Sequence, residues 1–267
     1  MFEEGAVLIL LDVPTRTEFG IDLNSWNTGD KFMGVKMIPP GLHFIYYSAA
    51  NSSSGDLSPR TGFFHWFSKG ELLAFRWDSK QEILKDEVSS ADCERMRGDL
   101  KNLDRNLGAY PFQSWSKWIM LTSRISKTDM ERMVPERKNI SSASEMLPDS
   151  DIKSTGDLPT LIPRPGTQIN FTQISRQKYP DGSSAQEISK HSLDSTYQLE
   201  IFMKNVQRMD EILSELQFSF LCFLVGQNYD SFEHWKLLVD MVCGCSDGLL
   251  KFPTLFIQFI SDIYFQL

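Results

Sequence analysis

Apolar positions in the first eighty-odd residues come in short runs separated by turn formers. Ala6–Val13 is an apolar run interrupted only by Asp12 and stopped by Pro14, which predicts a buried strand. Phe32–Met37, His43–Ser48, Thr61–Phe67 and Glu71–Trp77 follow as short β-branched or aromatic runs. Between them stand the turn signals Asn27-Thr28-Gly29-Asp30, Pro39-Pro40-Gly41, Asn51–Gly55 and Lys69-Gly70. Pro39 and Pro40 have no backbone N–H to give a ladder, so they belong in a connection or at an edge. Strands this close together, with no helix between them, predict antiparallel pairing in a sandwich or barrel.

The period then changes. From Ser90, the residues Met96, Leu100, Leu103 and Leu107 recur at helical steps, predicting an amphipathic helix ended by Gly108. Pro111 separates it from a second helical stretch, Ser114–Ser123, and Thr128–Val134 is a third, stopped by Pro135. These helices are expected to cover one side of the sheet. Residues 141–165 hold five serines, four prolines and no aromatic. Too little apolar area is available there to offset ordering entropy, so a flexible, solvated linker is expected.

Beyond it the pattern is helical. Ser184-Ala185-Gln186-Glu187 is a capping box opening a helix towards Val206. Met209–Val225 is apolar almost all round, which predicts a central buried helix. Gly226-Gln227-Asn228 turns into Tyr229–Val242, and Cys243–Gly248 turns into a last helix. That helix reaches Leu267 without a cap or stop signal, so the natural fold is expected to continue past it. The predicted fold is α+β in two domains. An antiparallel β-sandwich-like domain with covering helices spans 1–140, the linker 141–165 and an all-α domain 166–267.

Composition narrows the function. A hydrophobic content of 41% and an aromatic content of 12% supply apolar surface for real cores. The net charge is −8, with the acidity concentrated in the C-terminal third and no Lys/Arg run. Direct nucleic-acid binding is therefore disfavoured. The acidic start Met1-Phe2-Glu3-Glu4 does not suit a signal peptide, and charged residues interrupt the apolar helices, so no membrane span is predicted. Cys93, Cys222, Cys243 and Cys245 show no framework spacing and fit a reducing compartment, cytosolic or nuclear.

The chain offers little chemistry. Cys243-x-Cys245 has no histidine following at zinc spacing, and His234 has Leu238 where a second ligand would stand four residues on. His43 and His65 lie in aromatic-flanked β runs and read as packing residues. There is no G-x-S-x-G elbow and no glycine-rich phosphate loop. No catalytic residue, metal site or cofactor is expected. A Gly226-x-x-Tyr229 step followed by Trp235 faintly echoes a tetratricopeptide hairpin, and no second copy precedes it. A helical-repeat interaction adaptor with an accessory β domain stays open as the alternative.

Several blocks carry a family resemblance. T-E-F-G-I-D-L-N-S-W at 17–26, G-V-K-M-I-P-P-G-L-H-F at 34–44 and E-L-Q-F-S-F-L-C-F-L-V-G at 215–226 resemble the Aar-two family. So do T-Q-I-N-F at 167–171, I-S-K-H-S at 188–192 and F-E-H-W-K at 232–236. The resemblance implies an N-terminal β-sandwich-like domain and a C-terminal helical domain of VHS type. It also implies a non-catalytic pre-mRNA splicing factor of nucleus and cytoplasm that assists assembly of the U5 small nuclear ribonucleoprotein. Such factors bind the large U5 scaffold protein at its RNase H-like and MPN-type domains and hold off the U5 helicase until release. No membrane or nucleic-acid partner is implied, and a monomer is expected outside the complex. Family chains continue past the last helix here and can add a tail strand to the partner; their linker is also longer. Phe19, Trp26, Pro39 and Pro40 are the candidate partner contacts, since exposed aromatics and rigid turns make good anchors. The blander reading packs Phe19 and Trp26 inside the sandwich. Phe232, His234 and Trp235 are expected to hold the helical domain together.

Overall fold

The computed structural model describes residues 5–50, 56–85, 88–148 and 161–267. The predicted turn Asn51–Gly55 and residues 149–160 of the expected linker lie outside these. The chain divides into two units, Met1–Ser116 with Ser141–Ala143, and Lys117–Ile140 with Ser144–Leu267. The fold is α+β, with a β-sheet domain followed by a helical region.

The first unit contains β1 (Ala6–Leu11), β2 (Glu18–Ile21), β3 (Asn24–Asn27), β4 (Gly34–Ile38) and β5 (Gly41–Ser48). It continues with β6 (Thr61–Phe67), β7 (Leu72–Asp78), β8 (Ile83–Lys85), α1 (Ser90–Gly98), α2 (Leu100–Leu103) and β9 (Leu107–Ala109). One sheet has the order β8-β7-β1-β4-β9. In the other, β6-β5-β2-β3 follow one another, with Ser141 of β10 (Ile140–Ser141) beyond β6.

Alternation along the strands builds one core between these sheets. Ala6, Leu8 and Leu10 of β1, with Val35, Ile38 and Trp77, meet Phe19, Ile21, Ile45, Tyr47, Phe63 and Phe67 of the second sheet. The Leu84 N–H donates to the Tyr47 hydroxyl at 3.1 Å. Gly34 sits at φ +133°, and a Cβ there would lie 1.9 Å from the Leu8 carbonyl oxygen, so β1 and β4 can approach only at glycine.

Purely antiparallel pairing is not what the sheets adopt. β1 pairs in parallel with β7, and β4 in parallel with β9. Two strands of the other sheet, β5 and β6, lie in sequence between β4 and β7, and the returning chain enters alongside β1 in the same direction. The helix predicted through Leu107 also divides. The Asp99 N–H closes α1 on the Arg95 and Met96 carbonyls, and Leu107 belongs to β9. Of the helices expected to cover the sheet, α1 lies against β7, whereas α4 packs on α7.

In the second unit, α3 (Trp115–Thr122) continues from Lys117, followed by α4 (Lys127–Met133) with its Ser126/Asp129 capping box. β11 (Met146–Pro148) and β12 (Leu161–Pro163) pair antiparallel within the stretch expected to be linker. Then come α5 (Ala185–Leu193), α6 (Thr196–Lys204), α7 (Glu211–Leu224), α8 (Tyr229–Cys243), α9 (Ser246–Lys251) and α10 (Pro253–Gln266). The Ser184/Glu187 capping box opens α5. The helix expected to run on to Val206 breaks at Asp194, whose carboxylate accepts from the Thr196, Ser246 and Asp247 N–H groups. Helix α7 is buried at every position from Glu211 to Cys222. Gly226 makes the turn to α8, since a Cβ there would meet the Cys222 carbonyl oxygen at 2.5 Å.

Candidate interaction surface

Two polar clusters, one in each unit, are each centred on a buried carboxylate. In the first unit, Asp22 occupies the two-residue loop between β2 and β3 at φ +55°, a left-handed conformation that Asp tolerates. Its Oδ1 accepts from the Phe44 N–H at 2.9 Å, and its Oδ2 accepts from the Tyr110 hydroxyl at 2.6 Å. His43 on β5 places Nδ1 2.7 Å from the same Oδ2 and donates from Nε2 to the Pro39 carbonyl at 2.8 Å. The imidazole stacks on Trp115 and meets Phe67 and Tyr110 edge-on. Burial, and then the Asp22 charge beside it, push the Tyr110 phenol far above its usual range. With both ring nitrogens engaged and no exposure, His43 has neither a free lone pair nor a path to substrate. Its role is to fasten the Pro39-Pro40 connection and the β2–β3 hairpin to β5.

In the second unit, Glu215 of α7 is fully buried and accepts from the Thr172 N–H at 2.7 Å and the Thr172 hydroxyl at 2.8 Å. His234 Nε2 lies 2.7 Å away and Arg132 Nη2 3.5 Å away. The His234 ring stacks on Phe171 at 4.1 Å, and Trp235 stacks on Phe232. Gln217 accepts from the Arg124 N–H at 2.8 Å, and the Arg124 side chain reaches Asp262 at 3.3 Å. Burial raises the Asp262 carboxyl, against the pull of Arg124. These contacts join α4, the segment before it, residues 171–172, α8 and α10 to the central helix. Burial also pushes the Cys245 thiol up to about 12 and the Cys222 thiol well above its usual value. Both are poor thiolates. Among the described residues no group of three or more His, Cys, Asp or Glu could hold a metal ion. No helix among them is long and apolar enough to cross a membrane.

The four candidate contact residues separate. Phe19 is 1% exposed and belongs to the sandwich core, 5.2 Å from the Phe32 ring, so it is no surface anchor. Trp26 is 43% exposed on β3, the last strand of its sheet. It stands in register with Phe19, which makes it the outer continuation of the core face. Pro39 is half-buried and Pro40 exposed, in the connection held by His43. Sequence reasoning missed Asp22 and Tyr110, which lie 88 residues apart and share no local spacing. It also missed the open edge formed by Ser25 and Asn27.

Comparison with known proteins gives this arrangement a family. Residues 4–135 match the family model described as the AAR2 N-terminal domain, and residues 171–267 match the AAR2 C-terminal repeat region. The chain belongs to the AAR2 family. It is 39% identical over 293 residues to the human protein AAR2 homolog, covering 100% of this chain and 76% of that protein. The Caenorhabditis elegans AAR2 homolog is 33% identical over 296 residues, covering 100% and 80%. The Saccharomyces cerevisiae relative, named A1 cistron-splicing factor AAR2, is 24% identical over 252 residues, covering 86% and 68%. The AAR2 N-terminal match takes in β1 to β9, and the C-terminal match contains α5 to α10.

Proposed function

We propose that the chain is a non-catalytic pre-mRNA splicing factor of nucleus and cytoplasm that assists assembly of the U5 small nuclear ribonucleoprotein. It binds the large U5 scaffold protein at its RNase H-like and MPN-type domains and holds off the U5 helicase until release. The observation that carries this reading is the match along the whole chain to the human AAR2 homolog, together with the match over 86% of it to a yeast AAR2 protein that is a splicing factor by name. The two buried clusters support it, because the carboxylate at the centre of each, Asp22 and Glu215, is buried and held by hydrogen bonds from the protein itself. A pull-down with the two scaffold domains tests the proposal. Retention of the chain on either domain is the expected result; no retention, with the human homolog retained in parallel, would overturn it.

A further inference from the structure

The open edge of β3 presents backbone groups that no described residue uses, and their geometry fixes what can use them. Thr28 donates its N–H to the Thr17 carbonyl at 2.9 Å and accepts from the Arg16 N–H at 2.8 Å. Successive residues of a strand turn their N–H and C=O groups to opposite sides. Thr28, Trp26 and Asn24 therefore face β2, while Ser25 and Asn27 point their backbone groups away from it. The other side of the pair gives the same phase. Asp22 donates its N–H to Phe44 on β5, which leaves Ile21, Phe19 and Thr17 facing β3.

Ser25, Trp26 and Asn27 are all exposed, and β3 ends its sheet. Protected edges carry lysine, proline or a bulge, and β3 has no charge, no proline and an unbroken register with β2. The other edge strands of this unit are shorter: three residues in β8 and β9, two in β10. An unpaired row of donors and acceptors at strand spacing is complementary to another extended backbone.

We infer that β3 is a strand-addition site, at which an extended segment of the protein partner pairs antiparallel with the backbone of Ser25 and Asn27. Trp26 then occupies a non-hydrogen-bonded position of the new pair, where cross-strand Cα atoms approach to about 4.5 Å. The partner segment places an aromatic or β-branched side chain opposite Trp26, and that contact covers the outer end of the core face. The inference rests on the proposed binding to the U5 scaffold.

The test uses the RNase H-like and MPN-type scaffold domains as probes. Amide hydrogen exchange at Ser25 and Asn27 is followed in the full chain, free and bound. Titration calorimetry compares the wild type with Asn27→Pro and Trp26→Ala. The Asn27 N–H faces outward, so proline there removes no bond of the β2–β3 ladder. Slowed exchange at both amides in the complex is expected, with affinity lower by about tenfold or more in each variant. Binding with unchanged exchange at Ser25 and Asn27 overturns the inference alone, even if Asn27→Pro fails to fold. No binding by the wild type removes the scaffold proposal and this inference together.

Discussion

Asp22 Oδ2 lies 2.7 Å from His43 Nδ1, and neither side chain has any exposure to solvent. The pair ties the loop of the β2–β3 hairpin to β5, so the position of the β3 edge depends on a polar contact inside the core. Replacing Asp22 by Ala would strand the His43 ring, the Phe44 N–H and the Tyr110 hydroxyl. Removing one partner from a buried polar pair costs about 3–5 kcal/mol. Urea unfolding of Asp22→Ala should show that loss; a change below about 1 kcal/mol would mean the cluster relaxes or admits water.

Glu215 plays the corresponding part in the helical unit. Glu215→Ala leaves the Thr172 N–H and hydroxyl and the His234 Nε2 without their partner, while Arg132, partly exposed, keeps its pair with Glu211. The expected loss is about 2–4 kcal/mol, from buried donors left without an acceptor. Lys190→Ala is the control, since its pair with Asp247 is exposed on both sides and screened by solvent, so its loss should barely move the unfolding midpoint. Chemical denaturation of the two variants side by side checks the contrast.

Phe19 and Trp26 face each other across β2 and β3 yet differ in burial, 1% against 43%. Phe19→Ala should cost about 3–5 kcal/mol of stability through the cavity it leaves. Trp26→Ala should leave stability within about 1 kcal/mol while weakening partner binding. Thermal melts and calorimetric titration of both variants separate a core residue from a contact residue.

Asp194 supplies a pH dependence. Burial acts to raise its carboxyl, but hydrogen bonds from Thr196, Asp247 and Ser246 outweigh burial and hold it below the usual carboxylate range. A group depressed in the folded state stabilises above its unfolded value, about 3.9, and that stability is lost as pH falls further towards the folded value. Asp194→Asn should therefore lower stability at neutral pH and flatten the fall in stability below about pH 4. Denaturation midpoints measured from neutral pH down to about pH 3 check both signs.

Much of this architecture is legible in the sequence, and what was missed has physical causes. Strands β1, β5 and β6 stand out because each buries an apolar run, and β7 because its sequence is rich in apolar and aromatic residues. The hairpin β2–β3 does not, because β3 reads Asn-Ser-Trp-Asn and its loop uses Asp22, not glycine, in the left-handed conformation. The parallel pairing of β1 with β7 joins residues more than sixty positions apart and has no local signature. Helical periodicity continues through Asp99 and Asp194, but each helix ends there as the backbone closes on its own carbonyls or on a carboxylate. Trp26 was identifiable as a contact candidate, whereas Phe19 could be assigned to the core only once its register with β5 was known.

Binding of the purified full chain to the RNase H-like and MPN-type domains of the large U5 scaffold protein tests the central claim most directly. Calorimetric titration should show saturable binding to at least one of them. Flat titrations with both domains, while the human homolog binds the same preparations, would contradict the assignment as a U5 assembly factor.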